Sequence, residues 1–139
     1  MQYLLLCCID EQRWNDLPQD TRNDVMRDYH GWVDRLVQAG TYVTGGKLQD
    51  TNTATTVRST AGKAVFTDGP FAETKEQLGG FHVLSCRDLD EAMALARRIP
   101  TLPVGGTIEI RPMQLLGAPL SDAAPADRME SMTIVAADA

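Results

Sequence analysis

The chain predicts an α+β fold, a small antiparallel sheet carrying two helices on one face. Three observations predict it. A seven-residue apolar run, residues 3–9, opens the chain. Two segments, about 18–39 and 88–99, repeat apolar residues at helical spacing. Five short stretches, 42–49, 54–60, 63–67, 79–86 and 106–113, read as strands set off by Gly or Pro.

The opening run lacks alternation, which suits a strand covered on both faces. It has no basic leader and ends at Asp10-Glu11, too short for an export signal or a membrane span. In the first helix Pro18 suits the first turn. Val25, Met26, Tyr29, Trp32, Val33, Leu36 and Val37 form one stripe, and Gly40 stops it. His30 falls about 100° round from Tyr29, on the edge of that stripe. Tyr42-Val43-Thr44 runs through Gly45-Gly46 as the next strand. Residues 54–60 and 63–67 read as a hairpin linked by Ala61-Gly62. Asp68-Gly69-Pro70 breaks the strand, and 71–78 is a polar connector. Residues 79–86 form the next strand, where Gly79-Gly80, like Gly45-Gly46, suits a bulge or a close backbone approach. In the second helix Asp88 and Glu91 have capping-box spacing, Leu89, Ala92, Met93, Ala96 and Ile99 form the stripe, and Pro100 ends it. The last strand alternates Ile108 and Ile110 with Glu109 and Arg111.

With the hairpin set aside, the order is β-α-β-β-α-β, the ferredoxin-like arrangement. Both helices then cover one sheet face. The opposite face is costly to leave bare, so a homodimer is expected, its sheets facing each other or closing into a dimeric α+β barrel. Residues 1–116 form this domain. Residues 117–139, rich in Ala, Asp, Ser and Pro with four acids against Arg128, read as a loosely held tail.

Composition narrows the function classes. The 139 residues carry a net charge of −6, which argues against nucleic acid and anionic membranes as partners. The three cysteines, Cys7, Cys8 and Cys86, show neither C-x-x-C nor Cys/His spacing. Neither a disulfide scaffold nor a metal site is expected, and the setting is a reducing cytoplasm. No phosphate loop is present, and no cofactor is expected.

The fourteen residues Asp68-Gly69-Pro70-Phe71-Ala72-Glu73-Thr74-Lys75-Glu76-Gln77-Leu78-Gly79-Gly80-Phe81 resemble the signature of the DGPF proteins of the YCII-related group. Tyr3–Leu6, Ala39-Gly40 with Gly45-Gly46, Ala54–Arg58, Asp88–Ala92 and Ile108–Pro112 extend the resemblance over about residues 1–116. It implies ferredoxin-like subunits paired in a dimeric barrel. Related small proteins include one that cleaves chloride from a lactone, and muconolactone isomerases share the barrel type. Gene neighbourhoods in the group imply a link to extracytoplasmic-function sigma factors. The small YCII-type proteins present an acid–base pair, a His on the first helix and an Asp in the signature region. Asp68 matches the Asp, while the His slot falls on Tyr29, one position before His30.

Each candidate carries two readings. Asp68 either caps its turn or acts as a general base with a pKa raised by partial burial. His82, where the resembled group more often has Tyr, is either a satisfied strand histidine or a proton-transfer group. Tyr29 is either a core residue or a donor to developing oxyanion charge. Arg111 either pairs with Glu109 or clamps a carboxylate. His30 is either solvated or a ligand contact, and Gly69 and Pro70 are counted with the ligand-binding set. Two functions follow. One is a cofactor-independent enzyme doing acid–base chemistry on a small carbonyl or lactone-like metabolite, with Asp68, His82 and Tyr29 catalytic. The other is a non-catalytic ligand-binding or regulatory homodimer working with a sigma factor.

Overall fold

The computed structural model describes residues 1–117. Along the chain lie β1 (Gln2–Ile9), α1 (Glu11–Asp16), α2 (Gln19–Gln38), β2 (Tyr42–Lys47) and a 3-10 turn (Thr51–Thr53). There follow β3 (Thr55–Thr60), β4 (Lys63–Asp68), β5 (Gln77–Ser85), α3 (Leu89–Ala96), a second 3-10 turn (Leu102–Val104) and β6 (Thr107–Pro112). The main sheet is ordered β2-β5-β1-β6 and every neighbouring pair is antiparallel, while β3 and β4 pair only with each other. This is the expected ferredoxin-like α+β fold with a hairpin inserted between its halves. The expected tail lies outside the described residues, apart from Gly117. Among the described residues no helix is long and apolar enough to cross a membrane.

The core lies between the sheet and the helices. Tyr3, Leu5 and Cys7 alternate inward from β1 and meet Leu84 of β5, Trp32 and Leu36 of α2, and Ala92, Ala96 and Ile99 at α3. Trp32 also donates its indole N–H to the Leu95 carbonyl at 3.1 Å, which fastens α2 to α3. Within one chain the first strand is covered on one face: Leu4, Leu6 and Cys8 point to the helix-free face and are half-buried. By strand register they share that face with Val83, Phe81, Arg111 and Glu109.

The helices correct several details. Pro18 is the N-cap of α2 and sits outside the first turn. Ahead of it α1 is an unforeseen helix, capped by Asp10, whose carboxylate accepts from the backbone N–H groups of Gln12 and Arg13. Val37, Leu89 and Met93 are exposed, since each lies on the flank of its helix. Asp88 does cap α3, accepting from Glu91 N–H at 2.9 Å. Glu91, however, accepts from the backbone N–H of Arg87 and not from that of Asp88, so the box is offset by one residue. The hairpin turn is as read. Ala61 (φ 50°) and Gly62 (φ 78°) are both left-handed, the geometry of a two-residue turn whose twist matches the strands.

Candidate active site

A cleft of about 440 Å³ opens where β1 and β2 end and β5 begins, with α1 and α2 as its walls. Its size falls in the range of small-molecule sites. Three features of the chain create it. First, β5 carries a bulge. Cys7 pairs with Gly80 but Cys8 pairs with Leu78, which leaves Gly79 as the extra residue on the cleft wall. Second, α1 is buckled to the loop after β2: the Glu11 carboxylate accepts from Thr51 N–H and Thr51 Oγ1, both at 2.8 Å. Its backbone N–H in turn donates to Gln77 Oε1 at 2.9 Å. Third, α2 presents Arg22, Met26, Tyr29 and Val33, at helical spacing, with His30 beside them.

The floor holds a chain of polar groups centred on His82, which is 5% exposed. Tyr29 Oη lies 2.5 Å from His82 Nε2, and Tyr42 Oη lies 3.0 Å from Nδ1. Tyr29 Oη also lies 3.4 Å from Cys7 Sγ. Trp32 packs edge-on to the imidazole, with ring centres 5.0 Å apart. Sheet register explains how Tyr42 arrives. It pairs with Leu84, so His82 is its diagonal neighbour two residues away on the same face. Directly opposite His82 stands Gly45, and the absence of a side chain there opens the path. A Cβ on Gly45 would lie 2.6 Å from His82 Nδ1 and from the Phe81 carbonyl, and would overlap Tyr42 Oη.

Burial sets the charge of this chain. It drives the His82 pKa down to about 4, so the imidazole is neutral at physiological pH. Burial also raises the Tyr29 hydroxyl above the usual phenol range, with Cys7 beside it adding to the rise. Tyr42 is raised by the same cause, and burial raises Cys7 although its contact with Tyr29 acts the other way. A neutral imidazole has one N–H and one bare nitrogen, so one tyrosine donates to it and the other accepts from it. Exchanging the tautomer reverses both bonds without creating charge. When Tyr42 is the accepting partner its O–H is left for a ligand oxygen; when Tyr29 accepts, its O–H is shared with Cys7 Sγ.

Of the sequence candidates, Tyr29, His82 and His30 come together on this cleft. The others do not. Asp68 ends β4 on the exposed hairpin, opposite Thr55, and is absent from the cleft lining. Gly69 follows it with a φ of 101° and donates its N–H to Ala54, so this turn closes the hairpin; Pro70 lies on the same segment. Arg111 lies on the helix-free face, where its guanidinium pairs with Glu109 at 3.0 Å. Gly45 makes the close backbone approach expected of Gly45-Gly46, while sequence reasoning missed Tyr42, Cys7 and Arg22 as site residues. Arg22 carried a usable signal, standing in helical phase with Met26, Tyr29 and Val33. Tyr42 carried none short of strand register, which also decides that His82 is the residue facing Gly45. Among the described residues no three His, Cys, Asp or Glu side chains gather as a metal-holding group.

Comparison with known proteins places the chain in a family. The model of the YCII-related domain matches residues 1–115. An uncharacterized protein of Rhizobium meliloti (strain 1021), R00369, is 40% identical over 116 residues, covering 83% of this chain and 94% of the relative. Among solved structures, 5-chloro-2-hydroxyhydroquinone dehydrochlorinase (TftG) from Burkholderia phenoliruptrix AC1100, in complex with 2,5-dihydroxybenzoquinone, is similar with a TM-score of 0.50. That likeness covers 82% of this chain and 94% of the other at 13% identity, and it is a likeness of fold. The chain belongs to the YCII-related family.

Proposed function

We propose that this YCII-related protein is a cofactor-independent enzyme that polarises the carbonyl, enol or phenolic oxygen of a small cyclic metabolite. The observation that carries this reading is the Tyr29–His82–Tyr42 chain on the cleft floor. A neutral imidazole with its basicity lowered works as an electrophilic hydrogen-bond partner, not as a base. Whichever tyrosine accepts from His82 offers its own O–H to the ligand oxygen. As negative charge develops there, that donor strengthens, and in a desolvated cleft it does so with little reorganisation. His30, on the same wall, is the group assigned to exchange the carbon-bound proton. The hairpin carboxylate of Asp68 is not used. TftG, similar in fold, was solved in complex with 2,5-dihydroxybenzoquinone, a flat oxygenated ring of the class proposed here.

Deuterium exchange tests the reading. The protein is incubated in D2O with a panel of cyclic enols, lactones and hydroxyquinones and followed by NMR. Carbon-bound protons of at least one class should exchange or rearrange faster with wild type, and whichever of Y29F and Y42F removes the donor should lose about 10²–10³-fold of that rate. An undiminished rate in both variants would contradict the assignment. Tight binding with no turnover would favour the alternative, a ligand-binding regulatory protein.

The same reading extends to assembly and subgroup. The half-buried Leu4, Leu6 and Phe81 are flanked on the helix-free face by Glu109 and Arg111. A two-fold axis lets Glu109 meet the partner's Arg111, so this face suits a second copy of the chain. The run from Asp68 to Phe81 supports membership of the DGPF subgroup. A sigma-factor partner rests on that resemblance alone and is testable by pull-down.

A further inference from the structure

We propose that Arg22 is an anion anchor that makes the cleft selective for small carboxylates with a flat apolar body. The inference deepens the proposed use of the cleft and rests on it.

Arg22 lines the cleft from the end of the first turn of α2. One guanidinium nitrogen, Nη2, donates to Gln19 Oε1 at 2.9 Å. The Nε is buried, yet it has no hydrogen-bond partner among the described residues. Buried donors are normally satisfied; here the guanidinium is held at the cleft wall with its donor set incompletely used by the described residues. The remaining charges of the cleft sharpen the point. Glu11 is occupied by Thr51. Neither Arg22 nor Lys47 forms a salt bridge among the described residues, and Asp50, which also lines the cleft, carries the opposite charge. A guanidinium offers a planar fork that matches a carboxylate.

Spacing sets the size of the ligand. Arg22 and Tyr29 lie seven residues apart on α2, about 10 Å along the axis. Met26 and Val33 share their face, and Trp14 faces them from α1. A flat ring with a carboxylate at one end and a hydroxyl or carbonyl at the other spans this distance once the two side chains reach inward. The anion would then meet Arg22 while the oxygen meets Tyr29 and His82.

Calorimetry with 4-hydroxybenzoate and its neutral counterpart 4-hydroxybenzamide tests the assignment on wild type, R22Q and R22M. Wild type should bind the acid at least about tenfold more tightly than the amide, the scale of a hydrogen bond to a charged group. R22Q should bind both alike, with the loss falling mainly on the acid. Ligand-free R22M should melt no lower than wild type, because it loses a buried donor that had no partner. Persistence of acid preference in R22Q would overturn the anchor, as would equal binding of both probes by wild type with the cleft reading intact. A lower melting temperature for R22M together with lost preference would make Arg22 a structural strut. Failure of wild type to bind either probe would remove the small-ligand reading and the anchor together.

Discussion

At the level of single residues the site depends on a histidine kept neutral. Its ordinary pKa is near 6.5 and its folded value is about 4. Between those values the unfolded chain binds a proton that the folded chain refuses. Stability is therefore complete above pH 6.5 and declines as pH falls toward 4, by at most about 3 kcal/mol. Urea titrations at stepped pH should show this acid limb, and it should shrink in H82Q. Y29F leaves His82 Nε2 without its partner in a buried setting, so it should cost about 1–3 kcal/mol and be visible in the same titrations. Gly45→Ala should be worse for the site than for the fold. Its methyl must displace Tyr42 or push β2 from β5, at about 1–3 kcal/mol, and the oxygen-polarising activity should fall with it.

Among the elements, what was legible followed from local periodicity, and what was not depended on register. The stripe through Val25, Trp32 and Leu36 and the Ala61-Gly62 turn could be read directly, because helical phase and left-handed turn residues are properties of neighbours in sequence. The short α1 was hidden because its six residues carry no buried position; only the Asp10 cap marks it. Tyr29 and His82 could each be named as candidates, yet their contact joins a helix to a strand 53 residues away. Tyr42 could not be added without knowing that β2 lies against β5. Asp68 looked like a site residue because it ends a strand at a Gly-Pro break, and in fact the break serves the hairpin's own closure. The caps make a stability prediction. Asp88→Ala removes the side-chain acceptor for Glu91 N–H and should lower stability by about 1 kcal/mol, read as a lower melting temperature with an unchanged ligand profile.

For the whole molecule, one sheet face is sealed by helices and the other carries Leu4, Leu6 and Phe81 half-open. The detached hairpin adds Val57 and Phe66, directly opposed and exposed at 57% and 69%. Light scattering at micromolar concentration should give twice the chain mass, and L6K should give a single chain with the same helical content; a wild-type monomer would contradict the dimer. The cleft lies on the helix side, so its chemistry should survive in L6K. The chain has two histidines, His30 and His82, so their ring signals can be separated with one substitution. The most direct measurement is therefore a pH titration of the His82 ring nitrogens by NMR, with and without a cleft ligand. The expected result is a neutral ring down to about pH 4–5 whose nitrogen shifts change when ligand binds. Protonation near pH 6.5, or nitrogen shifts indifferent to every cleft ligand, would contradict a buried Tyr–His–Tyr chain as the working centre.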